Sequence, residues 1–163
     1  MKTNNVTLIA VFAAITIVTN LTFYYIFFFV FSLIIFLLDK KNAIIYAFVV
    51  ALINFISSVG AGSLLPLLNV AILPITAFVL LYAKDIAKEN RVIYCVLFLI
   101  TIFTSNVFYN IISSFMYNMS FGSVFIAQLS YNLLTTTINP LLMYLIGYTA
   151  VSKLKPELEK RFS

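Results

Sequence analysis

The 163 residues include no histidine and no tryptophan, one cysteine, four glycines, four prolines and five acidic side chains. Each scarcity excludes something. Without histidine there is neither a Ser-His nucleophile nor an imidazole-liganded metal site. No acidic residue lies within a long apolar stretch, so the intramembrane carboxylates that mark proton relays are missing. The lone Cys95, in the apolar run 93–100, cannot form an intramolecular disulfide and reads as a small apolar packing residue. The glycines make no phosphate-binding loop, and neither HExxH nor GxSxG occurs. The expectation is a protein that is not an enzyme and has no resident metal or cofactor.

Charge is the other scarcity. Only 9% of residues are charged and 63% are hydrophobic, with a mean hydropathy of +1.10; soluble domains hold about 25% charged residues. All the charges fall in four short clusters: Lys2; Asp39 to Lys41; Lys84 to Arg91; and Lys153 to Arg161. Residues 3–38, 42–83 and 92–152 carry none. Each stretch is too long for one membrane helix of about 20 residues and suits two. The expected fold is therefore an all-α integral membrane protein with six transmembrane helices. By the positive-inside rule all four clusters, and both termini, are cytoplasmic. The net charge of +5 reads as topology, since the basic residues flank spans instead of forming a nucleic-acid stripe. A single membrane domain, 1–163, uses the whole chain. The apolar run after Lys2 continues into Tyr24–Leu38 without a small-residue cleavage site, so it reads as a retained first span.

The spans are expected at about 6–20, 23–38, 42–58, 67–83, 92–112 and 124–151. The first turn falls near Thr19-Asn20-Leu21-Thr22, where short polar and β-branched side chains weaken a helix. Span two, rich in Phe, Tyr, Leu and Ile, reads as lipid-facing. Two glycines and Pro66 make 60–66 an irregular connection, and Pro74 is expected to kink span four. The third hairpin turns through 113–123, the longest outer loop. No fixed-period repeat and no inverted pair of broken helices is visible, which argues against a self-sufficient secondary transporter.

What remains is a set of uncharged polar residues near the outer side. Asn106, Tyr109, Asn110, Ser113 and Ser114 recur at helical spacing on span five and its loop, as do Gln128, Tyr131, Asn132, Thr135 and Asn139 on span six; residues three and four apart share a face. Asn20, Asn54, Ser58 and Asn69 sit near other span ends. Amides in hydrocarbon are costly without partners. Either they join helices, at about 1 kcal/mol each, or they line a pocket for an uncharged polar molecule. The candidate substrate-binding residues are Asn69, Asn106, Tyr109, Asn110, Tyr117, Gln128, Tyr131, Asn132 and Thr135. The tyrosines would supply stacking surfaces with a hydrogen-bonding end. On span one, Ala10-Val-Phe-Ala13-Ala14 contains an AxxxA pattern that permits close helix approach.

Six spans in a chain of this length, cytoplasmic ends, and AxxxA on the first helix resemble the substrate-binding S component of energy-coupling factor (ECF) vitamin transporters. The opening Val6-Thr7-Leu8-Ile9-Ala10-Val11-Phe12-Ala13-Ala14 is similar to the usual start of these proteins. The segment Gln128–Tyr144, running into a basic tail, is similar to their last helix. The resemblance implies a location in a bacterial or archaeal plasma membrane and capture of a vitamin or related nutrient at the outer face. It implies delivery through a transmembrane coupling subunit carried on two ATPases, which alone hydrolyse ATP. It makes Ala10 and Ala14 the docking pair, and it places a pocket at the outer ends of helices four to six.

An outer half without Arg, Lys or Glu offers no ion-pair partner. Neutral aromatic nutrients, pyridoxine-like or hydroxymethylpyrimidine-like, are therefore favoured over carboxylates and permanent cations. The rival is a membrane scaffold protein of the MreD type, in which the polar residues only join helices. A channel would need a polar path through the full membrane depth, which span two and the middle of span five do not offer.

Overall fold

The computed structural model describes residues 3–59, 66–87 and 90–162, and every described element is helical. The connection at 60–65, together with Lys2, Lys88 and Glu89, lies outside the described residues. In chain order the elements are α1 (Thr3–Thr22), a 3₁₀ turn (Tyr24–Ile26), α2 (Phe27–Leu37), α3 (Lys40–Val59) and α4 (Pro66–Ala87). They continue as α5 (Arg91–Met116), α6 (Phe121–Ala127), α7 (Leu129–Leu142), a π-helical segment (Met143–Gly147) and α8 (Tyr148–Phe162).

Four helices, α1, α3, α4 and α5, are long and apolar enough to cross a membrane. The molecule thus fits a multi-pass helical membrane protein. The helical run Tyr24–Leu37 is shorter. The expected sixth span is subdivided into α6, α7, the π segment and α8.

Local chemistry explains the boundaries. Helix α1 continues through Thr19 and Thr22, whose hydroxyls bond back to the carbonyls of Ile15 (2.9 Å) and Val18 (2.8 Å); the chain breaks only at Phe23. Asp39 caps α3 by accepting from Asn42 N (3.0 Å). Asn90 caps α5, accepting from Val92 N (3.0 Å) and Ile93 N (3.1 Å). Both satisfy first-turn donors that the helix leaves free. Helix α5 runs to Met116, past the expected turn at Ser113, and reverses through Asn118 at φ 51°, a conformation asparagine tolerates. Ser120 then caps α6 through Ser123 N (3.2 Å). Pro74 and Pro140 lie inside α4 and α7.

The packing of α2 overturns its reading as lipid-facing. Phe31, Ser32 and Ile35 are completely buried, and Phe27, Phe28, Ile34 and Phe36 nearly so. It touches α1, α3, α4, α7 and α8 and forms the centre of the core. An all-apolar helix has no polar face to show which side meets lipid, and a helix apolar all round is as suited to a core as to a bilayer.

Cross-helix polar bonds pin the bundle. Thr16 Oγ1 and Tyr46 OH meet at 2.5 Å between α1 and α3. Asn139 accepts from Phe29 N (2.7 Å) and donates to Tyr25 O (2.9 Å) and Thr135 O (2.6 Å), tying α7 to the start of α2. At Gly147 an added Cβ would run into the Met143 sulfur and come within 3.2 Å of the Phe29 ring, so the absent side chain permits close packing of the π segment on α2.

Among the described residues, charged side chains of α3, α4 and α5 gather at one end. Lys40, at the start of α3, bridges Asp85 near the end of α4 at 2.6 Å. Lys84 lies 5.2 Å from the Phe36 ring centre, and the Arg91 guanidinium lies 5.3 Å from that of Tyr148. These contacts bring the ends of α2 and α4 and the starts of α3, α5 and α8 together.

Candidate functional site

The opposite, charge-free end holds a cavity of about 370 Å³, within the size range of small-molecule sites. Fifteen residues separate Arg91 from Asn106 on its wall, a rise of roughly 22 Å along α5. Its lining comes from the helices α1 to α7 and the 3₁₀ turn. Helix α5 contributes Ser105, Asn106 and Tyr109; α7 contributes Tyr131, with Gln128 at the kink before it; α1 and α3 contribute Asn20 and Asn54. Tyr24, Phe27 and Phe28 close one side, and Ile72 and Leu73 of α4 another. Among the described residues no charged side chain lines it.

Each wall group is held by its element. Asn20 Nδ2 donates to Asn54 Oδ1 (3.2 Å), clasping α1 to α3 at the cavity. Asn106 Nδ2 donates to Thr135 Oγ1 (3.0 Å), joining α5 to α7. Thr135 Oγ1 in turn donates toward the Tyr131 carbonyl (2.8 Å). Ser105 Oγ meets Thr76 Oγ1 at 3.1 Å, fixing α4 against α5. Tyr24 and Tyr131 stack with ring centres 5.6 Å apart and planes 11° from parallel. Tyr25 packs against both, at 3.9 and 6.1 Å. The lining thus combines aromatic rings with amides: surfaces for a flat ring, and hydrogen bonds for its edge.

Four of the nine candidate residues, Asn106, Tyr109, Gln128 and Tyr131, line the cavity. Thr135 is buried and engaged with Asn106, so it positions a wall residue. Asn110 and Asn132 are buried outside the lining, with no hydrogen-bond partner among the described residues. Tyr117 ends α5, is about half exposed and is not among the lining residues. Asn69 falls within α4, but its side chain lies outside the described residues.

The cavity also uses residues the candidate set omitted. Asn20 and Asn54 were visible as polar positions at span ends. Tyr24, Phe27 and Phe28 carried no signal, because in an apolar run an aromatic facing a cavity looks the same as one facing lipid. Ala10 and Ala14 lie on the exposed face of α1, whereas Ile9, Ala13 and Thr16 face the bundle. Among the described residues no group of histidine, cysteine or carboxylate side chains is placed to hold a metal ion.

The chain matches no protein-family model, no curated protein and no solved structure.

Proposed function

We propose that the protein is the substrate-binding S component of an ECF-type importer, capturing a neutral, single-ring nutrient at the outer face of a prokaryotic plasma membrane. The observation that carries this reading is the cavity: uncharged, faced by tyrosines and amides, and set at the end of the bundle opposite the charges. A scaffold whose polar residues only join helices has no need of such a space. At about 370 Å³ it suits pyridoxine or a hydroxymethylpyrimidine and is too small to enclose a corrinoid.

In this reading the chain crosses six times, with both termini and all charges cytoplasmic. Helices α1, α3, α4 and α5 are four of the crossings, and α7 running into α8 is another. The run Tyr24–Leu37 is the remaining one. Its length, about 21 Å, falls short of a bilayer core of about 30 Å. Because its neighbours cover it, lipid thickness does not set its length. The exposed Ala10 and Ala14 would dock on the transmembrane coupling subunit, which couples to two ATPases; the S component itself catalyses nothing. A charge-free outer end also suits a protein that must tilt within the bilayer, since charges there would cost several kcal/mol each.

The test is equilibrium binding by the purified protein, without ATP, across a panel of vitamins and their precursors. Binding of a neutral ring compound at micromolar concentration or below is expected. A panel with no binder, or one in which only charged compounds bind, would overturn the proposal.

A further inference from the structure

Among the described residues, five buried side-chain polar atoms make no hydrogen bond within the protein, and four of them belong to Asn110 and Asn132. Asn110 is 0% exposed and Asn132 5%. A carboxamide carries two donors and an acceptor with two lone pairs, and most buried groups of this kind are paired. The adjacent turns show that this interface can satisfy amides. Asn106, one turn back along α5, is bonded to Thr135, and Asn139 on α7 makes three bonds.

The Asn106–Thr135 bond sets the register of the antiparallel α5 and α7. Asn110 follows Asn106 by four residues and Asn132 precedes Thr135 by three, so both lie one turn nearer the charge-free end on the faces that meet. The residues just before them, Tyr109 and Tyr131, line the cavity, as does Asn106. Asn110 and Asn132 are therefore one turn beyond Asn106 and Thr135 and next in sequence to two lining tyrosines, without lining the cavity themselves.

We propose that Asn110 and Asn132 are the selectivity pair of the site, completed by a ligand whose ring edge carries a donor beside an acceptor, as in an aminopyrimidine. This rests on the cavity being the ligand site and goes beyond it by naming the edge that is read. A carboxamide presents N–H and C=O side by side and pairs bidentately with an amino group next to a ring nitrogen, as asparagine does with adenine. Pyridoxine has no amino group next to its ring nitrogen. Of the two neutral ring types that the uncharged lining favours, the amides select the pyrimidine. A ligand in the cavity would reach them once the Tyr109 and Tyr131 side chains turn aside.

The test uses the full chain in detergent or nanodiscs, with three probes: an amino-hydroxymethylpyrimidine, the same ring without its amino group, and pyridoxine. The aminopyrimidine should bind roughly 100-fold or more tightly than the other two, because they leave buried amides unpaired. Asn110→Leu and Asn132→Leu should each abolish most of that preference. Each should also raise the thermal midpoint of the ligand-free protein by roughly 2–4 °C, since a similarly shaped apolar side chain replaces an unpaired amide. Unchanged preference in both variants, or a lowered midpoint, would overturn the inference; the latter would mean that the amides already have partners in the free protein, such as buried water. Equal binding of all three probes by the wild type overturns the selectivity and leaves the cavity reading intact. If none binds, the aminopyrimidine class is overturned, and the cavity reading is decided separately by the molecule that co-purifies with the protein.

Discussion

An asparagine within an apolar bundle must find partners or carry the cost of going without, and here the residue type meets three fates. Asn106 and the pair Asn20 and Asn54 bridge helices, Asn110 and Asn132 go unpaired, and Asn139 stitches two distant segments together. The last is the most structural. Replacing Asn139 with Ala would strand the Phe29 N–H and the Tyr25 carbonyl at the start of α2 and lower stability by about 2–4 kcal/mol. Thermal unfolding of the variant in detergent measures this, and an unchanged midpoint would contradict the stitching role. The helical spacing of Asn106, Asn110 and Ser113 was readable in the sequence as one face, and all three side chains are buried. The task of Asn139 was not, because Tyr25 and Phe29 lie more than a hundred positions away, at a helix start that no local pattern marks.

At the scale of elements, charge spacing and apolar runs separated α1, α3, α4 and α5 with ends close to those observed. Two features escaped. Helix α2 is apolar on every side, so nothing in its pattern distinguishes the core it forms from the lipid it was read to face. The last span carried proline and glycine signals at Pro140 and Gly147, but the π segment between them depends on how Met143, Gly147 and Phe29 pack, a tertiary matter. Helix α1 is the reverse case, a weak pattern with a definite placement. Ala10 and Ala14 sit on its exposed side, where close approach by another helix is open. On the proposed docking role, Ala10→Leu or Ala14→Leu should abolish uptake and co-purification with a coupling subunit while ligand affinity stays within about twofold, because neither residue lines the cavity. Lost ligand binding with retained co-purification would mean that this face packs within the protein.

For the molecule as a whole, the separation of charge from cavity is the organising fact. The ion pair Lys40–Asp85 and the contacts of Lys84 and Arg91 mark one end. The uncharged cavity occupies the other. The sequence alone indicated that polarity of the bundle, because the long stretches between charge clusters are strictly uncharged. It also placed four cavity residues, since α5 and α7 carry amides and tyrosines at helical spacing. The contribution of Tyr24, Phe27 and Phe28 required the packing of α2, which three-dimensional contacts alone decide. The most direct measurement is mass spectrometry of whatever co-purifies with the protein from its membrane, beside the same extraction of Tyr131→Ala. A neutral ring compound, near stoichiometric in the wild type and depleted at least tenfold in the variant as expected for a lost stacking wall, is the predicted result. A ligand charged at neutral pH, or equal recovery from both proteins, would contradict the account.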